Sequence, residues 1–292
     1  YSLPSVTISS SCYYIYDSAF QDCISMSSLT IHRVTEIKNS AFRNCSKLTS
    51  VAFPSANTHI HSCAFMDCIS LTTATFSSNT KYIYNSAFEN CISLQSVNLP
   101  SPLKDVSSRC FYNCSSLTTA NIRSTIKSNT IGTSAFAHCV KLNSVTLSSQ
   151  LTNIYSQAFY NCSSLPTILI PSTVTSISND AFRYCIGLVS FQVNSLNKYY
   201  NTVDDILYYN NRTLFQYPSK KSATQYTLSI DTRTINPFAF HFCSNLRKLT
   251  IRENLNNVYD SSFYNNSALT SMIYLGRYKT AFDTIAITNC DN

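Results

Sequence analysis

A short beat recurs down this 292-residue chain: a small residue, phenylalanine, two variable residues and cysteine, as in Ala87-Phe88-Glu89-Asn90-Cys91. Its phenylalanines fall at Phe20, Phe42, Phe65, Phe88, Phe111, Phe136, Phe159, Phe182, Phe240 and Phe263, with gaps of 22, 23, 23, 23, 25, 23, 23, 58 and 23 residues. A fixed period of this length marks stacked supersecondary units, none of which can bury its apolar face alone. The chain is therefore expected to form a solenoid. Because each coil of such a stack packs only on its neighbours, the length does not imply several domains, and residues 1–292 read as one stack.

The second half of each repeat supplies a strand. Leu94-Gln95-Ser96-Val97-Asn98-Leu99, Leu142-Asn143-Ser144-Val145-Thr146-Leu147 and Leu246-Arg247-Lys248-Leu249-Thr250-Ile251 share the pattern L-x-x-V-x-L. Period-two alternation buries the fourth and sixth residues, which predicts one short strand per coil. Counting from that leucine as position 1, starts fall at Leu3, Met26, Leu48, Leu71, Leu94, Leu117, Leu142, Leu165, Leu188, Ala223, Leu246 and Leu269, twelve in all. An apolar residue recurs near position 13 (Ile60, Ile83, Ile154, Ile177, Ile235), then alanine and phenylalanine at 17 and 18 and cysteine at 21.

Leu165 to Cys185, with Ile170-Pro171 and Asp180-Ala181-Phe182, and Leu48 to Cys68, with Phe53-Pro54 and Ala64-Phe65, are full copies of the motif. It closely resembles the BspA-like class of leucine-rich repeats, and the resemblance covers nearly the whole chain. The resemblance implies an α/β solenoid of about twelve coils of about 23 residues, with one short strand per coil and an irregular or short-helical convex side. It also implies a surface or secreted protein of a host-associated bacterium or parasitic protist, engaged in attachment. The asparagine ladder of the commoner leucine-rich pattern is not expected; phenylalanine and cysteine carry the wall opposite the strands.

The 58-residue gap holds an insertion over residues 194–222. Ile206-Leu207-Tyr208-Tyr209 and Thr213-Leu214-Phe215-Gln216-Tyr217, on either side of Asn210-Asn211-Arg212, predict a β-hairpin, since β-formers flank a turn-prone trio. BspA-like chains often carry such a hairpin after an Asn-x-x-Tyr stretch, here Asn197-Lys198-Tyr199-Tyr200, and Asp204-Asp205 read as turn residues rather than catalytic carboxylates. Residues 275–292 depart from the repeat spacing and read as an irregular, truncated terminal coil.

Several functions are excluded or disfavoured by composition. The net charge of +7, with only 12% charged residues and no basic run, argues against a nucleic-acid groove. No apolar stretch reaches the length of a membrane-spanning helix. Three glycines leave little for phosphate-cradling loops, and no hydrolase or nucleotide-binding motif occurs, so no catalytic residues and no cofactor are expected. Of 13 cysteines, nine hold position 21, and a ladder of equivalent inward side chains favours free buried thiols over disulfides. His59-Ile60-His61 near Cys63 is too sparse for a metal site, and none is expected.

The outward strand positions 3 and 5 are the expected working surface. They are rich in hydroxyls and amides, best in Thr73, Thr75, Ser96, Asn98, Thr119, Asn121, Ser144 and Thr146, and suit extended contact with protein or glycan ligands on host or microbial surfaces. Twenty tyrosines and no tryptophan suggest a second surface, with Tyr208, Tyr209 and Tyr217 of the hairpin as candidates. Asn211 and Asn265 head N-x-S/T sequons and are candidate glycan acceptors, in keeping with a cell-surface or extracellular location. The expectation is a non-enzymatic adhesion module. A coat or spacer protein without a dedicated ligand is the alternative, and ice binding is disfavoured because the threonine rows are irregular.

Overall fold

The computed structural model describes residues 3–53, 58–123, 129–259 and 261–275. Strands form at all twelve positions read from the sequence, each beginning two residues after its position-1 residue. In Ser96–Leu99 the alternation is visible directly: Val97 and Leu99 are buried and Ser96 and Asn98 exposed. The twelve strands fall into four groups, within each of which a strand pairs in parallel with the next at a one-repeat offset, for example Ser96↔Thr119, Val97↔Ala120, Asn98↔Asn121 and Leu99↔Ile122. Five of them, from Ser50–Ala52 to Ser144–Thr146, make one continuous sheet. The result is a parallel-strand solenoid of about eleven turns of about 23 residues.

A second parallel sheet, not expected from the sequence, runs along position 13. Its strands are mostly two residues long: Tyr14–Ile15, Glu36–Ile37, His59–Ile60 and Tyr82–Ile83 pair in order, with the isoleucine inward and its neighbour outward. Later members include Asn129–Ile131, Leu151–Ile154 and Ser176–Ile177. Most coils among the described residues thus carry two strands rather than one, the second being reduced at Val106 to a single bridge to Ile131.

No helix occurs among the described residues: the convex side there is irregular, and the short-helical and α/β parts of the expectation find no support. The cause lies in the backbone around the Ala-Phe-x-x-Cys beat. The residue before the alanine and the residue before the cysteine both take left-handed φ, as Ser86 (57°) and Asn90 (60°) do. Two such residues per coil turn the chain instead of propagating i→i−4 bonds. Outside glycine the conformation is tolerated best by asparagine and aspartate, which hold position 20 at Asp22, Asn44, Asp67, Asn90, Asn113, Asn161 and Asn265, while His138, Tyr184 and Phe242 adopt it in the other coils. Inter-coil bonds hold it in place: Phe88 N–H donates to Cys110 O (2.9 Å) and Asn90 N–H to Tyr112 O (2.8 Å).

Inside this wall the phenylalanines stack. Phe20 to Phe182 form eight near-parallel rings with centroids 5.2 to 5.6 Å apart. Beside them the position-21 thiols donate to the phenylalanine carbonyl of the preceding coil, as Cys91 Sγ does to Phe65 O (3.2 Å) and Cys139 Sγ to Phe111 O (3.2 Å). All twelve cysteines among the described residues are free. A short polar ladder runs outside the rings: Asn44 Nδ2 donates to Asp22 Oδ1 (2.9 Å), Asn90 Nδ2 to Asp67 Oδ1 (2.8 Å) and Asn113 Nδ2 to Asn90 Oδ1 (3.0 Å). An asparagine ladder is therefore present after all, on the cysteine side rather than after the strand.

The inserted segment is a three-stranded antiparallel meander, Tyr200–Val203, Ile206–Tyr209 and Thr213–Gln216. The expected hairpin forms its second and third strands. Its turns use the left-handed pairs Asp204-Asp205 and Asn210-Asn211. The third strand joins the second solenoid sheet by pairing with Thr234–Ile235, while Asp205 O accepts from Phe191 N–H on the first sheet (2.9 Å). The meander therefore crosses the interior from one wall to the other. Leu207 and Phe215 pack into the N-terminal core, and Ile206, Tyr208 and Leu214 into a separate C-terminal core.

Candidate functional site

The five-stranded sheet presents a row Ser50, Thr73, Ser96, Thr119, Ser144, placed side by side by strand register. A second row holds Asn98, Asn121 and Thr146, with Thr75 on the strand before them. Thr73, Thr75, Ser96, Asn98, Ser144 and Thr146 are exposed, and Thr119 and Asn121 are half-buried. Asn121 Nδ2 donates to Asn98 Oδ1 (2.7 Å). Among the described residues the hydroxyls of Thr73, Thr75, Ser96, Thr119, Ser144 and Thr146 take no protein hydrogen bond, whereas those one position earlier do: Thr72 Oγ1 donates to Thr49 O (2.9 Å) and Thr118 Oγ1 to Gln95 O (3.0 Å). No charged residue lies on these five strands. The face is an uncharged lattice of free donors and acceptors, about 4.8 Å apart across strands and about 7 Å apart along them.

The hairpin tyrosines do not form the surface read from the sequence. Tyr208 and Tyr217 are each 1% exposed. Tyr217 takes the next place in the ring ladder, against Phe240 (5.3 Å), and Tyr208 Oη bonds Tyr226 Oη (2.9 Å). Both are core residues because the meander is buried on two faces, which removes them as binding candidates. Only Tyr209, half-buried, reaches the surface, beside Tyr200 (ring centroids 5.2 Å). Tyr200 itself was not anticipated, although two steps of 23 from Ile154 through Ile177 land on it. Its hydroxyl accepts from Ile177 N–H (2.8 Å), and burial pushes it up to about 12.

The remaining titratable groups are structural. Burial raises the thiols of Cys91, Cys114, Cys139 and Cys162, which keeps them protonated and unreactive. Burial, with the Arg183 guanidinium beside it, lowers His241 to about 3, and Arg183 Nε donates to His241 Nε2 (3.4 Å). His61 Nε2 lies 3.3 Å from Glu36 Oε2, while the His59 ring meets Tyr82 edge-on at 4.6 Å, so the two histidines are engaged with different neighbours. Asn211 is exposed at the meander tip and Asn265 half-exposed.

Comparison with known proteins places this architecture. A model of the BspA type leucine rich repeat region matches six copies over residues 1–118, 104–213 and 210–292. The chain belongs to the BspA-type leucine-rich repeat family. A leucine rich cell surface protein from Faecalibacterium prausnitzii matches with a TM-score of 0.72 and 28% identity, covering 83% of this chain and 65% of that one. A leucine-rich repeat protein from Bacteroides ovatus matches at 0.65 and 22%, covering 84% and 65%, and the pneumococcal vaccine antigen PcpA at 0.57 and 19%, covering 91% and 64%. The last two show the fold alone. The chain spans slightly less than two thirds of each of these three proteins. No curated protein matches in sequence. Of these three, the Faecalibacterium prausnitzii protein is described as a cell surface protein. No helix among the described residues is long and apolar enough to cross a membrane.

Proposed function

We propose that the chain is the binding module of a cell-surface or secreted protein, attaching to host matrix, host cells or other microbes through its first sheet. The observation that carries this reading is the row of register-aligned hydroxyls from Thr73 to Ser144, exposed except for the half-buried Thr119, that the fold itself leaves unbonded. In the free protein water satisfies these hydroxyls, and a long ligand can replace many of those bonds at once. An extracellular setting also suits Asn211 as a glycan acceptor, with Asn265 second. The sequons at Asn44, Asn113 and Asn161 are less suited, because each amide nitrogen is engaged in the outer ladder.

The test is a binding screen of the purified chain against immobilised matrix proteins, host cells and microbial surfaces. Ser96→Lys with Ser144→Lys puts two charges on the row without setting them on directly opposed residues, since Thr119 lies between. The double variant is expected to lose a saturable signal by tenfold or more while its thermal unfolding stays unchanged. A folded variant that binds as well as the parent would refute the strand face, and a parent that binds nothing would leave the spacer role.

A further inference from the structure

Where the meander interrupts the second sheet, its ladder fails to close. The strand Ser176–Ile177 ends the group it belongs to, and the next strand on that wall, Thr213–Gln216, belongs to another. Between them lies an open cleft of about 370 Å³, within the ordinary range for a small-molecule site. Its buried rings are Tyr200 and Phe215, set edge to face at 5.7 Å, with Tyr209 beside them. Tyr259, half exposed, also lines it. The polar lining is Thr175, Ser176, Asn179, Thr213, Thr234 and Asn236.

Three features narrow the occupant. First, no lysine, arginine, histidine, aspartate or glutamate lines the cleft, although the chain as a whole carries +7. A charged ligand would be desolvated there without a counter-charge. Second, an extended peptide adding to the open strand edge needs its backbone donors, but Tyr200 Oη already takes Ile177 N–H (2.8 Å). Third, aromatic faces stand next to amides and hydroxyls. Asn236 Nδ2 donates to Asn179 Oδ1 (2.6 Å) across the cleft, and Asn179 Nδ2 and Asn236 Oδ1 take no other protein partner among the described residues. One such pair offers a donor and an acceptor side by side, the complement of two vicinal hydroxyls.

We infer that this cleft binds a neutral saccharide, whose C–H face lies on the accessible rings of Tyr209 and Tyr259 and whose hydroxyls bond the Asn179–Asn236 pair and the threonines. The site is built by the meander and stands apart from the strand face, so the two stand or fall separately. The full chain is titrated by calorimetry and ligand-observed NMR with N-acetyllactosamine, cellotetraose and mannotriose, and with 3′-sialyllactose as the acidic counterpart. At least one neutral sugar is expected to bind saturably and 3′-sialyllactose more weakly. Asn179→Ala and Tyr259→Ala both alter partly exposed rim positions, and each is expected to weaken binding about tenfold, the equivalent of one lost hydrogen bond or ring contact. The Ser96→Lys, Ser144→Lys variant should bind the sugar as the parent does. The inference is overturned if no neutral sugar binds, if the sialylated sugar binds best, or if neither rim substitution changes affinity in a protein that still unfolds at the parent temperature.

Discussion

Tyr217 stands in the ring ladder where neighbouring coils use phenylalanine, and its hydroxyl, buried at 1% exposure, has no hydrogen-bond partner among the described residues. Burial accordingly raises its ionisation above the ordinary tyrosine range. Burying a hydroxyl without a partner costs about 1–3 kcal/mol in proteins. Tyr217→Phe deletes that oxygen and keeps the ring against Phe240 and Tyr226, so it is expected to stabilise the chain by about 1–2 kcal/mol. For a chain of 292 residues this corresponds to about 2–3 °C in Tm. The companion variant Tyr208→Phe has the opposite sign. It strands the Tyr226 hydroxyl, bonded at 2.9 Å in the parent, and should cost about 1–2 kcal/mol. Scanning calorimetry and urea unfolding of both variants against the parent make the comparison. A loss of more than about 0.5 kcal/mol in Tyr217→Phe, beyond the scatter of a neutral substitution, would refute the account of an unpaired hydroxyl.

Thiol labelling tests the cysteine wall. In folded protein at pH 8, rapid reaction among the described residues should be confined to the half-exposed Cys12 and Cys63, while denatured, unreduced protein should yield all 13 cysteines of the sequence; a shortfall in the denatured sample would reveal disulfides. Acid should destabilise the chain through His241. The unfolded histidine binds its proton near pH 6.5 and the folded one only near 3, so stability is held above pH 6.5 and falls as pH drops below it, by about 2–3 kcal/mol at pH 4.5. His241→Phe, which keeps an aromatic ring beside Tyr184 and Tyr264, should flatten the difference between pH 7 and pH 4.5; an unchanged slope would refute it.

The strands, the ring ladder and the inward thiols were legible in the sequence because each is written ten times or so in phase. The second sheet was not. A strand of two residues shows one inward side chain, and an isoleucine recurring alone at position 13 has no alternating neighbours to mark it as a strand. The turns were masked for another reason: left-handed backbone is usually announced by glycine, and here Ser86, Asn90 and their equivalents adopt it under inter-coil bonds. The meander tyrosines were misjudged although a signal was present. Ile206-Leu207-Tyr208-Tyr209 is an unbroken apolar run, the mark of a strand covered on both faces, whereas the solvated face of Ser96–Leu99 alternates. Of the candidate sites, the hydroxyl rows followed directly from strand register, and Tyr209 alone pointed toward the cleft. Asn179 and Asn236 lie 57 residues apart, and only the stacking of coils brings them together.

The crossing meander also divides the molecule as a fracture problem. In a plain stack, damage at one end runs coil by coil, since each coil is held only by the next. Here a front of unfolding that enters from the C-terminal coils strips Ile206, Tyr208 and Leu214 of their neighbours yet leaves Leu207 and Phe215 seated in the other core, with Phe191 and Ile177 still tethered across the gap. The partition acts as a firebreak. The last coils can open and close while the strand face over Thr73 to Ser144 keeps its shape.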